Sequence, residues 1–216
     1  MRLNWLGRAT MNNALRFLGQ QYDASWLERL GGRVDGGRVL EVGCGRGVGV
    51  QIILERFGAA SVEAMDLDPK MVECARRRLA AYDSTRVQLS VGNLTSIKAG
   101  DATFDAVFDF GAVHLEPNWR QGIAEVRRVL KPGGKFYFEW VTGRLLRLPY
   151  PFVTEGFRRM EAPNPGELMK ELECQGITVG QNFVCPRLAA LSGFVGDLVG
   201  VGQVAAPIKG LEFVRA

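Results

Sequence analysis

The sequence predicts an α/β fold: a doubly wound, mostly parallel seven-stranded sheet with helices on both faces, a three-layer sandwich. Three observations carry that expectation. Between Arg38 and Val141, short runs rich in β-branched and aromatic residues alternate with helical stretches of about 10–15 residues, the pattern of successive βαβ units. The first of these strands meets its helix through a turn with glycine at every second position, Gly43, Gly45 and Gly47. The composition, 47% hydrophobic and 23% charged over 216 residues, is that of an ordinary globular domain able to bury one sizeable core.

Apolar positions at helical spacing, Leu15, Leu18, Tyr22, Trp26, Leu27 and Leu30, predict one or two amphipathic helices over 8–30, stopped by Gly31-Gly32. Arg38–Val42 reads as a buried strand and Gly47–Phe57 as a helix. Ser61–Asp66 is the second strand. The following helix, Pro69–Ala81, has proline in its first turn and Asp68 in the capping position. Arg86–Val91 and Phe104–Phe110 are the third and fourth strands. Asn118–Leu130 reads as a helix closed by the turn Lys131-Pro132-Gly133-Gly134, ahead of strand Lys135–Val141. Asn164–Cys174 is a helix with Asn164 as N-cap and Pro165 at its first position. Ile177–Val184 and Gly210–Arg215 are the last two strands. The stretch 188–208 is glycine-rich and nearly uncharged, too broken for a helix, and reads either as a core-packed hairpin or as an apolar wall for a ligand.

Composition narrows the function classes. Twenty-seven basic against 23 acidic side chains give a net charge of +4, less than nucleic-acid binders concentrate on one face, so a nucleic-acid partner is not expected. Four cysteines (Cys44, Cys74, Cys174, Cys185) form no C-x-x-C pair and share the chain with one histidine, His114, so no metal site is expected. Reduced thiols, the lack of an apolar leader-like run and the lack of a spanning segment place the protein in the cytoplasm. The sequence offers no support for peripheral membrane contact, although the N-terminal helical segment is open to reading as an interfacial anchor or a lid.

The decisive stretch is Glu41-Val42-Gly43-Cys44-Gly45-Arg46-Gly47-Val48-Gly49, at a strand-to-helix turn where open parallel sheets bind ligands. Glycines there let the backbone bend sharply and bring main-chain N–H groups close to a ligand. The dinucleotide spacing G-x-G-x-x-G fails, because its sixth place falls on Val48 or Val50. A phosphate loop G-x-x-x-x-G-K-[ST] is absent as well.

Glu41-x-Gly43-x-Gly45-x-Gly47 resembles the first motif of class I, Rossmann-like S-adenosylmethionine-dependent methyltransferases, and four further landmarks follow in order over residues 36–142. Val62-Glu63-Ala64-Met65-Asp66-Leu67-Asp68-Pro69 is similar to the family's second strand, which implies Asp66, with Leu67 beside it, at the ribose hydroxyls; a carboxylate accepts two charge-assisted bonds from a vicinal diol. Val91-Gly92-Asn93-Leu94 stands where the family has Gly-Asp, so Asn93 and Leu94 are the implied adenine contacts, with an amide in place of the acid. Phe104–Phe110 matches the fourth strand, with Asp109 and Phe110 toward the methionine end, and Leu130–Lys135 resembles the turn into the fifth. The resemblance implies that Glu41 orients the glycine loop and the methionine ammonium, that Gly43, Cys44, Gly45 and Gly47 offer backbone to the cofactor, and that S-adenosylhomocysteine is the product.

On that resemblance the chain reads as one methyltransferase domain, 1–216: an N-terminal helical segment over 1–35, a cofactor core over 36–142, and acceptor-side elements with the final strands over 143–216. Residues 143–160, with Arg144, Arg147, Arg158, Arg159 and three aromatics, read as an acceptor lid or a solvated basic loop. His114 is the candidate general base by residue type. The acceptor class read from the sequence is a small molecule, an apolar one such as a quinone, lipid or aromatic metabolite. A nucleic-acid or protein methyltransferase and a non-catalytic S-adenosylmethionine-binding protein are the alternatives.

Overall fold

The computed structural model describes residues 14–141, 164–185 and 197–206. Their elements are α1 (Ala14–Gly31), β1 (Arg38–Val42), α2 (Val48–Glu55), β2 (Ser61–Asp66), α3 (Pro69–Arg78), β3 (Val87–Val91) and β4 (Phe104–Asp109). A short 3-10 turn (Val113–Leu115) follows, then α4 (Trp119–Val129), β5 (Leu130–Val141), α5 (Pro165–Cys174), β6 (Ile177–Cys185) and β7 (Asp197–Val204). The strands form one seven-stranded sheet in the order β3-β2-β1-β4-β5-β7-β6. Pairing is parallel from β3 to β5, and β7 runs antiparallel to both of its neighbours. The order reverses between β1 and β4, so a crevice opens there at the carboxyl ends of the strands.

Strand β4 shows why the sheet must be covered on both faces. Its residues 106–109 are all buried, as a central parallel strand requires. Ala106 and Phe108 point into one core with Leu27, Val50, Ile53 and Phe57 from α1 and α2 and the loop that follows α2. Phe104 and Val107 point into the other, with Ile123 and Val126 of α4 and Leu168 and Leu172 of α5. The first core is pinned by aromatics: Phe108 lies edge-on to Phe57 at 4.7 Å and stacks on Tyr137 at 4.2 Å.

Local signals fix most helix ends. Gly32, at φ +73°, stops α1, and its N–H donates to Glu28 O at 2.7 Å. Asp68 accepts from Lys70 N–H at 3.0 Å and caps α3 with Pro69 behind it, and Asn164 accepts from Gly166 N–H at 2.9 Å at the start of α5. The C-terminus of α1 is tied to the sheet by Tyr137, whose hydroxyl lies 3.0 Å from Gly31 O and 3.1 Å from Gly32 O. Tyr137→Phe is expected to cost about 1 kcal/mol, the net worth of such a bond, measured by urea denaturation.

Two expectations change. The Lys131–Gly134 turn does not precede the fifth strand but lies inside it. Leu130 already pairs with Phe104, the next pair is Ala106 with Lys135, and the intervening residues bulge with Gly133 at φ +79°. The seventh strand is Asp197–Val204, inserted between β5 and β6, so part of 188–208 is half of a hairpin-like pair. The strand expected over 210–215, the basic segment 143–160 and residues 1–13 lie outside the described residues.

Candidate functional site

The loops that leave β1, β2, β3 and β4 meet around one cavity of about 580 Å³ at the switch point, with α1 along its margin. The β1 loop contributes Gly43, Cys44, Gly45 and Arg46 to the wall. Gly43, Gly45 and Gly47 all adopt left-handed φ values, +72°, +52° and +79°. Gly43 is tightly enclosed, since a Cβ there would overlap the Ala112 side chain. A Cβ on Gly45 would meet nothing within 4 Å, so this backbone faces open cavity. Gly47 begins α2, where a Cβ would crowd Leu79 and Ala75. Cys44 lines the wall, and burial pushes its thiol well above the usual cysteine range, which suits a backbone role rather than that of a nucleophile.

Asp66 ends β2 at the cavity wall. Its Oδ2 accepts from Gly45 N–H at 2.9 Å and its Oδ1 from Asp68 N–H at 2.8 Å. The carboxylate thereby braces the glycine loop, and each oxygen retains lone-pair capacity toward the cavity. Burial raises the Asp66 carboxyl above its usual range, against the opposing pull of these two amides. Leu67, Asn93 and Leu94 line the same end. Asn93 Oδ1 accepts from Thr95 N–H at 3.1 Å, so part of its acceptor capacity serves its own turn.

Glu41 lies behind the loop, buried, and outside the cavity lining. A Cβ on Gly49 would overlap its carboxylate, and the Val50 N–H donates to it. Its Oε2 has no hydrogen-bond partner among the described residues. Burial, reinforced by the charges of Asp66 and Asp109, pushes this carboxyl from 4.5 up to about 8. The folded chain therefore holds one more proton than the unfolded chain between those values. Stability falls as pH rises through that window and levels above it. Glu41→Gln is expected to flatten this slope in urea melts at pH 6 and pH 9; an unaltered slope would contradict the assignment.

Four residues read from the sequence stand outside the cavity lining: Glu41 and Gly47, described above, and Asp109 and His114. Asp109 turns inward, its carboxylate accepting from Ala112 N–H at 2.6 Å and Val113 N–H at 3.2 Å, and so shapes the loop after β4. His114 is buried in the 3-10 turn with its ring edge-on to Trp140 at 6.0 Å. Phe110, by contrast, lines the wall. Sequence reasoning missed Phe17 and Gln20 of α1, and Leu115 and Glu116 after β4, as lining residues. No local motif marks the first pair, which reach the site only through docking of α1. The second pair carries one signal, a carboxylate in the loop beyond the switch-point strand.

Residues 39–134 match the family described as "Methyltransferase domain". The match runs from β1 to the bulge within β5. Over 105 residues it is 35% identical to a fatty-acid O-methyltransferase of Mycolicibacterium smegmatis, covering 49% of this chain and 37% of that relative. Over 129 residues it is 36% identical to 24-methylenesterol C-methyltransferase 2 of Oryza sativa, covering 58% and 35%. The chain thus spans well under half the length of these curated relatives. Among solved structures, Burkholderia thailandensis 1,6-didemethyltoxoflavin-N1-methyltransferase with bound S-adenosylhomocysteine superposes with a TM-score of 0.66 at 21% identity, covering 90% of this chain and 80% of that one.

The cavity at the switch point suits S-adenosylmethionine. Asp66 offers acceptors for a diol, the open face of Gly45 admits close approach, and the apolar Leu67, Met71 and Leu94 offer a surface for a flat base. Glu41 Oε2 is a buried carboxyl oxygen of the kind that an ammonium group, or a water bridging to one, satisfies once the carboxyl is ionised.

Proposed function

We propose that the chain is an S-adenosylmethionine-dependent methyltransferase acting on a small, apolar acceptor. The observation that carries this reading is the single cavity in which a glycine loop open at Gly45 and braced by Asp66 continues into an apolar margin of Phe17, Phe110 and Leu115. Relatives named for fatty-acid and sterol substrates support the apolar acceptor. The cofactor, when bound, supplies an electrophilic sulfonium methyl. The chain's own task is to bind, orient and exclude water, which lowers the barrier by several kcal/mol without a covalent intermediate.

We read the chain as a single domain. No described helix is long and apolar enough to cross a membrane. A cytoplasmic location is supported by the free thiols of Cys44, Cys74 and Cys174, the state that a reducing compartment maintains.

The test is incubation with methyl-labelled S-adenosylmethionine and a panel of fatty acids, sterols and phenolic lipids, followed by organic extraction. Label in an extracted product is the expected outcome. Cofactor binding with no label transferred to any acceptor would favour a non-catalytic binding protein.

A further inference from the structure

The cavity has two chemically distinct halves. Asp66 and Asn93, at the ends of β2 and β3, hold one. Across the switch point, Phe110, Leu115 and Glu116 of the β4 side wall the other, and Phe17 and Gln20 of α1 line the same cavity. We propose that this second half selects an acceptor carrying a neutral hydroxyl on an apolar body and rejects a carboxylate, with Glu116 as the specificity-determining residue. This rests on the methyltransferase reading above and names its acceptor class.

Glu116 is held by its own loop. Its backbone N–H donates to Val113 O at 3.0 Å, and its Oε1 accepts from Asn118 N–H at 3.1 Å. Its Oε2 has no hydrogen-bond partner among the described residues. A carboxylate only accepts, so the partner that satisfies Oε2 must be a donor. A second carboxylate in that place would set two like-charged acceptors together in a partly desolvated cavity, an arrangement that disfavours its binding. Phe17, Phe110 and Leu115 line the same cavity as Glu116 and offer it apolar surface, which suits an apolar body bearing one hydroxyl. His114, the other proton acceptor that the sequence offers in this loop, is packed against Trp140 outside the cavity lining. In the transfer the hydroxyl oxygen bonds to the methyl carbon as the carbon–sulfur bond breaks. The electron pair of that bond stays on sulfur, leaving neutral S-adenosylhomocysteine, and the hydroxyl proton passes to Glu116 Oε2 and on to solvent.

The test compares 1-octanol with octanoate, titrated by calorimetry into protein saturated with S-adenosylhomocysteine, for the wild type and Glu116→Gln. The wild type is expected to bind octanol at least about tenfold more tightly, and Glu116→Gln to bring the ratio below about threefold, mainly by admitting octanoate. A purely structural role for Glu116 would leave that ratio unchanged. Retained S-adenosylhomocysteine binding by the variant shows that it is folded. Tighter binding of octanoate, binding of neither ligand, or a ratio in the variant within twofold of the wild type would overturn the assignment while leaving the cofactor reading intact. Failure of the wild type to bind S-adenosylhomocysteine at all would instead remove the methyltransferase reading and this inference with it.

Discussion

Gly43→Ala is expected to lower the melting temperature by about 6–12 °C, whereas Gly45→Ala, two residues away, should lower it far less and abolish most cofactor binding. Both positions have left-handed φ, +72° and +52°, which costs an L-residue about 1–2 kcal/mol. At Gly43 the added methyl also overlaps Ala112, and such overpacking costs about a further 1–3 kcal/mol. A total near 3 kcal/mol corresponds to that fall for a domain of this size. At Gly45 the methyl meets no protein atom within 4 Å and projects into the cavity instead. The loss there should appear as an S-adenosylhomocysteine affinity at least about tenfold weaker, or about 1.4 kcal/mol. Thermal melts and calorimetry on the two variants separate the effects. A Gly45→Ala protein that binds like the wild type would show that the ligand does not run along this loop.

Asp66→Ala should weaken S-adenosylhomocysteine binding by about 1–3 kcal/mol, the range for lost hydrogen bonds to a charged acceptor. Two contributions are combined in that loss. The carboxylate braces the amides of Gly45 and Asp68, at 2.9 and 2.8 Å, and it also faces the cavity. A cycle that pairs Asp66→Ala with a 2′,3′-dideoxy analogue of the ligand distinguishes them. If Asp66 meets the ribose, the variant should lose little further affinity toward the dideoxy analogue. An equal loss for both ligands would confine Asp66 to bracing the loop, and an unchanged affinity for the parent ligand would remove it from the site.

Where function and local chemistry coincide, the chain was legible from its residues. The strand ends at Val42 and Asp66, the cap at Asp68 and the glycine loop follow from turn and capping preferences that act over a few residues. The seventh strand was not legible, because Gly200 and Gly202 interrupt its apolar pattern and glycine weakens strands. The sheet supplies the reason for them. A Cβ at Gly200 would come within 2.5 Å of the Phe138 ring, and one at Gly202 would overlap Ile177, so bulk on the neighbouring strands occupies that face. Val199 and Val201 fill the opposite face. Tertiary packing thus outweighs propensity, and one sequence cannot display that in advance. The same holds at the site: Phe17 and Gln20 reach the cavity only because Leu27 and Ala24 of the same helix are buried in the first core. His114 drew notice as the only histidine, a property of the composition and not of its position in the fold.

The central claim, a glycine loop built for S-adenosylmethionine and not for a dinucleotide, is tested most directly by calorimetric titration of the purified protein with S-adenosylhomocysteine, with NADH as the control ligand. The expected result is saturable, near-stoichiometric binding of S-adenosylhomocysteine and none of NADH. Binding of NADH alone would contradict the assignment of the loop and, with it, the proposed reaction.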